Sequence, residues 1–127
     1  MKKEIIIVVV ILFIIIILNV VTQKYTNTHM SELKTKLTEV KTEISNQDKE
    51  KATQKIEEAF KYWNNIKETF VIYLEHAELE KVEMYMEEAK TNIETEEWNV
   101  AISSIDTSAY MLNQIKERYE FSLKNIF

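Results

Sequence analysis

The chain has 127 residues, carries a formal net charge of −5 and contains no Gly, no Pro and no Cys. Without Gly, tight hairpin turns and phosphate-cradling loops lose the residue that reaches positive φ most easily, so Rossmann and P-loop sites and the hydrolase nucleophile elbow are excluded. Without Cys there is no disulfide, thiol nucleophile, thiolate metal site or lipoprotein attachment point, and interleaved acidic and basic residues leave no basic stripe for nucleic acid.

The length allows one ordinary domain, and the composition predicts an all-α chain whose connections are built from Asn, Asp, Ser and Thr. Residues 1–4 form a short basic flank with Lys2 and Lys3. Ile5–Leu18 then reads IIIVVVILFIIIIL, and after Asn19 the residues Val20 and Val21 extend the apolar run. A bilayer core takes about 20 helical residues, with about 17 as the lower limit. The rival reading is the apolar region of a signal peptide, which needs small residues in an A-x-A-like pattern at its end. The chain has no Ala before Ala52, so residues 5–21 are predicted to be an uncleaved transmembrane anchor whose partner is the lipid bilayer. A soluble helix this apolar on every face would need a large surrounding core. Lys24 nearly balances Lys2 and Lys3, but a short basic flank ahead of an anchor places the amino terminus in the cytoplasm and the remainder outside. The expected location is the cell membrane, single-pass, with an extracytoplasmic carboxyl-terminal domain.

Residues 22–29 are polar and read as a short stalk or a continuation of the anchor helix, with His29 solvated. From Met30 to the end, residues 30–127, the apolar positions fall into helical stripes. The first is Met30, Leu33, Leu37, Val40 and Ile44, ended by the turn cluster Ser45-Asn46-Gln47-Asp48 with Asp48 as N-cap. The second is Ala52, Ile56, Ala59, Trp63, Ile66, Phe70 and Leu74. The third is Leu79, Val82, Met86, Ala89 and Ile93. The step of five from Leu74 to Leu79 places a break near Glu75-His76-Ala77. After a turn at Thr95-Glu96-Glu97 the fourth stripe is Trp98, Ile102, Ile105, Ala109, Leu112, Ile115, Tyr119, Leu123 and Ile126.

Residues 30–72 align without a gap on residues 79–121 at an offset of 49, with ten identities, among them Lys41/Lys90, Thr42/Thr91, Ile44/Ile93, Ala52/Ala101 and Ile66/Ile115. The stripes and the turns superpose as well. This predicts a duplicated helical hairpin and an antiparallel four-helix bundle behind the anchor.

Candidate chemistry is sparse. His76 lies at the expected corner and, with Glu75, Glu78 or Glu80, offers a metal or pH-sensing reading. A di-iron bundle needs Glu-x-x-His on one helical face, and Tyr73 and Thr26 occupy the positions three before His76 and His29. A capping or corner role is therefore expected for His76. The pairs Glu57-Glu58, Glu87-Glu88 and Glu96-Glu97 diverge on a helix and read as solvated faces. Trp63 and Trp98 read as core, while Tyr110, Tyr119 and Phe127 are candidates for an interface patch. Ser103-Ser104 has no His near it in sequence.

Trp63 with Lys67, HAEL from His76 to Leu79, EEWNVA from Glu96 to Ala101 and LKNIF from Leu123 to Phe127 carry a resemblance. In these points, and in its layout from end to end, the chain resembles an uncharacterised domain-of-unknown-function family of short single-pass membrane proteins from spore-forming Gram-positive bacteria. The family corner, His-x-Glu followed by Ile or Leu and an acidic residue, fits His76, Glu78, Leu79 and Glu80. The family's Trp-x-x-Ala after the first turn is broken here by Lys49. The resemblance implies a membrane-anchored helical domain and no known activity.

The sequence therefore points to a non-enzymatic, membrane-anchored bundle that binds a partner protein in or near the cell envelope, with no cofactor and no metal. Trp63, His76 and Glu78 are its candidate interaction or corner residues. The alternatives are a ligand- or metal-sensing bundle at His76 and a coiled-coil envelope or division scaffold whose stripes pair between chains.

Overall fold

The structure, a computed structural model, describes residues 1–126, without the side chains at 122, 123, 125 and 126. The expectations for the side chains of Leu123 and Ile126 and for Phe127 lie outside the described residues. Four helices account for the fold, with no strand among the described residues: α1 Lys2–Ser45, α2 Lys49–Phe70, α3 His76–Glu94 and α4 Trp98–Ile126. Each helix packs against its neighbours in the ring α1–α2–α3–α4 and back to α1, the arrangement of an up-down-up-down bundle.

α1 is one unbroken helix of 44 residues, about 66 Å long at 1.5 Å per residue. Nothing in its sequence interrupts it, because no Pro or Gly is available and its Thr hydroxyls return to the backbone. Thr26, Thr35, Thr38 and Thr42 each donate to the carbonyl four residues earlier, at 2.7–3.1 Å, which satisfies the hydroxyls without opening the helix. The stretch Thr22–His29 is thus helix, and it already belongs to the bundle. Thr26 is fully buried and His29, expected to be solvated, is half-buried.

α1 and α3 end the same way. Gln47 and Glu96, 49 residues apart, take left-handed φ values of 55° and 57°. Around the first, the Gln47 N–H reaches the Ile44 carbonyl at 2.9 Å and the Asp48 N–H the Glu43 carbonyl at 3.1 Å. Around the second, Glu96 N–H to Ile93 and Glu97 N–H to Asn92 repeat those bonds at 3.1 and 2.9 Å. Both are Schellman closures, which satisfy the last carbonyls of a helix and are usually built on Gly. A chain without Gly holds Gln and Glu there at a cost of about 1–2 kcal/mol each. Asp48 then caps α2, its carboxylate accepting from the Lys51 N–H at 3.1 Å. The third connection is different. Residues 71–75 turn without a left-handed residue, and α3 opens at His76 with no side-chain cap.

The core repeats with the chain. Each buried position from Met30 to Ile66 has a buried counterpart 49 residues on, from Met30/Leu79 through Ile44/Ile93 and Ala59/Ser108 to Ile66/Ile115. The duplicated-hairpin reading therefore holds in three dimensions as well as in identities. It also corrects the fourth stripe. Ala101, Ser104, Ile105 and Ser108 face the core, whereas Trp98, Ile102 and Ala109 are only half-buried on its flank. Apolarity misled here because α4 meets its neighbours through small residues. The Ser104 and Ser108 hydroxyls donate to the Val100 and Ser104 carbonyls at 3.0 and 3.1 Å, which lets two polar side chains sit in the core without unmet donors.

Candidate functional site where the first helix enters the bundle

The three residues singled out from sequence do not converge. Trp63 is fully buried on α2, packed towards Phe70 with ring centroids 6.4 Å apart, and its Nε1–H has no partner among the described residues. His76 is exposed at the first position of α3. Glu78, with only 15 % of its side chain exposed, is turned to the Arg118 guanidinium and joins the start of α3 to the end of α4. Among the described residues no group of three or more His, Cys, Asp or Glu side chains is placed to hold a metal ion. The paired glutamates at 57–58, 87–88 and 96–97 are exposed, as is Tyr110.

The convergence that does occur lies where α1 enters the bundle. Thr22, Tyr25, Thr26 and His29 follow one another by three and four residues and so share a helical face. Opposite them stand Tyr62 and Phe70 of α2, Tyr73 of the connection and Tyr119 of α4. A Thr hydroxyl has one proton to give. Thr22 gives its proton to the Asn19 carbonyl at 3.2 Å and Thr26 to the Thr22 carbonyl at 2.7 Å. The tyrosines must therefore be the donors in the two contacts between segments: Tyr119 to Thr22, and Tyr73 to Thr26 at 2.7 Å. The Tyr62 hydroxyl meets His29 Nδ1 in the same layer.

The rings close the layer by stacking. Tyr25 lies 4.1 Å from the His29 ring and 5.6 Å from Phe70, Phe70 lies edge-on 6.1 Å from Tyr73, and Tyr73 lies 5.4 Å from Tyr119. Each such pair adds about 0.5–1.5 kcal/mol beyond its buried area. Burial raises the Tyr73 hydroxyl above its ordinary 10.0, and Tyr119 and Tyr25 add to the rise. Burial raises Tyr62 as well, helped by Glu32 and Tyr25. Among the described residues no carboxylate hydrogen-bonds to these hydroxyls. The physical effect of the network is to clamp the root of α1 to α2, to the α2–α3 connection and to α4.

Sequence reading missed this clasp because it stopped the first stripe at Met30. The spacing is visible in the sequence: Thr22 and Thr26 continue the stripe backwards in steps of four, but their hydroxyls give no apolar signal.

Outside the bundle, Ile5–Val21 has no buried residue, and α1 is long and apolar enough to cross a membrane by length and composition. No curated protein and no solved structure matches the chain. A family model described as "Domain of unknown function (DUF4363)" matches residues 20–126, from the last residues of the apolar run through the whole bundle, and the chain belongs to that family.

Proposed function

We propose that this protein is a single-pass, non-enzymatic membrane protein that holds a rigid four-helix bundle against the outer face of the cell membrane and presents it to a partner protein of the envelope. One observation carries this reading. A single helix, α1, is apolar all round and wholly unburied over Ile5–Val21, yet contributes Thr26, Met30, Leu33, Leu37, Val40 and Ile44 to the core. A helix apolar on every face is unstable in water and stable in lipid. The two environments are joined without a flexible linker, so the bundle's orientation follows that of the anchor. Lys2 and Lys3 ahead of the anchor favour an amino terminus in the cytoplasm. The apolar stripes are consumed inside one chain, which leaves little for the coiled-coil scaffold to pair between chains.

The full chain should remain in the membrane fraction after alkaline carbonate extraction, and a reporter fused at the carboxyl terminus should read as extracytoplasmic. Photo-crosslinkers at exposed bundle positions such as Tyr110 and Met84 should capture a defined envelope protein in cells. Release by carbonate would contradict the anchor, a cytoplasmic reporter the orientation, and the absence of any specific crosslink the presenting role.

A further inference from the structure

Ile72 in the α2–α3 connection is 80 % exposed and Phe121 on α4 is 66 % exposed, and Val71 beside the first is also exposed. Ile72 and Phe121 are separated by the offset of the repeat, 49 residues, with Ile72 in the turn that follows α2 and Phe121 within α4. Both lie at the end of the bundle from which the anchor leaves. Tyr73, next to Ile72, is bonded to Thr26, and Tyr119, two residues before Phe121, is bonded to Thr22. Beyond Tyr119 the backbone of α4 runs on to Ile126 in the direction of the anchor.

Heights along α1 place this end against lipid. Thr26 stands about 7–8 Å of helix rise beyond Val21. The headgroup region on one side of a bilayer is about 5–8 Å deep. Residues at the level of Thr22 to Thr26 therefore meet the interface, where tyrosine rings are at home and an exposed Ile or Phe is relieved of water. Charge does not select the occupant, since Lys24 and Lys124 share this end with Glu75 and all three are exposed. The apolar pair does.

We infer that Ile72 and Phe121 are a second, peripheral membrane contact: each hairpin dips one exposed apolar side chain into the interface beside the anchor, and the bundle sits on the bilayer. The inference rests on the anchor reading of Ile5–Val21 and holds for either orientation of the chain.

The chain has no Cys, so single cysteines give unique labels. Ile72→Cys, Phe121→Cys, Ile11→Cys and Val100→Cys, each carrying an environment-sensitive fluorophore, are reconstituted as full chains in phosphatidylcholine–phosphatidylglycerol vesicles. Some of the lipids bear a nitroxide near the headgroup end of the acyl chain. Ile11 reports the anchor, and Val100, exposed at the distal end, reports water. The expected result is quenching at Ile72 and Phe121 several-fold above that at Val100, with Ile11 also quenched. Quenching at Ile11 with Ile72 and Phe121 no different from Val100 overturns the inference and leaves the anchor standing. Quenching at only one of the pair overturns the two-sided contact. An unquenched Ile11 overturns the anchor reading and this inference with it.

Discussion

The two halves of α1 share one backbone and differ only in how their apolar residues are distributed. From Ile5 to Val21 apolar residues cover every face, and none is buried. From Thr26 to Ile44 they occupy one stripe, and every residue of the stripe is buried to within 2 %. Helix propensity does not separate the halves, since both are rich in β-branched residues and both are helical. The angular distribution of apolarity separates them: the first half presents apolar side chains on every face, as the proposed membrane span requires, and the second turns its stripe to the core between α2 and α4. Between them the stripe begins as Thr22 and Thr26, whose hydroxyls meet tyrosines from across the bundle. The change of environment thus falls on residues that tolerate both.

The largest predicted contrast comes from placing a charge in each half. Leu37→Asp puts an unpaired carboxylate in a fully buried site and should abolish the cooperative melt of the bundle. Ile11→Asp should leave that melt unchanged in detergent while weakening membrane insertion by about 2.5–3.5 kcal/mol, read as loss of carbonate-resistant protein. Equal damage to the melt from both would erase the distinction between the halves.

Truncation gives a smaller contrast. Ile44→Ala should cost about 2–5 kcal/mol in urea unfolding, and Ile93→Ala, its counterpart in the repeat, about as much. Ile11→Ala should be silent in the same assay. A large difference between Ile44 and Ile93 would weaken the equivalence of the hairpins.

The clasp is worth less. Thr26→Val removes the acceptor for Tyr73 and should cost about 0.5–1.5 kcal/mol, and the double variant with Tyr73→Phe should cost less than the sum of the single ones. The pH dependence follows from the raised tyrosines. Tyr62 and Tyr73 hold their protons more tightly folded than unfolded. Their contribution is therefore complete below pH 10 and is lost as pH rises through the folded pKa values. Melts should fall more steeply above pH 10 in the parent than in Tyr73→Phe. Smallest of all, Lys41→Ala removes a 2.8 Å pair to Asp106 whose partners are about half exposed, and should change stability by less than about 1 kcal/mol.

Much of the architecture was legible because it rests on repetition. Absent Gly and Pro, the stripes of α1 to α3 and the offset linking Gln47 to Glu96 all survive translation into three dimensions. Those two residues mark equivalent turns although neither is a usual left-handed residue. α4 was harder to read. Trp98, Ile102 and Ala109 are as apolar as core residues, and only packing shows that Ser104 and Ser108 take the inside because small side chains let helices approach. The clasp was hidden for a related reason. Thr22, Thr26 and His29 acquire their meaning from Tyr119, Tyr73 and Tyr62, which lie 33 to 97 residues away in sequence. His76 stood out by residue type, yet it faces water, while its neighbour Glu78 makes the ion pair.

The most direct test of the account is a nitroxide scan along α1 in the full-length protein in nanodiscs, one cysteine at a time from Ile5 to Ile44, reading collisions with oxygen and with a water-soluble nickel chelate. High oxygen and negligible nickel accessibility are expected at all positions from Ile5 to Leu18. From Thr22 onwards a helical oscillation is expected, with minima for both reagents at Thr26, Met30, Leu33, Leu37, Val40 and Ile44. A nickel-accessible face within Ile5–Leu18, or a break in the helical phase between Val21 and Met30, would contradict the account.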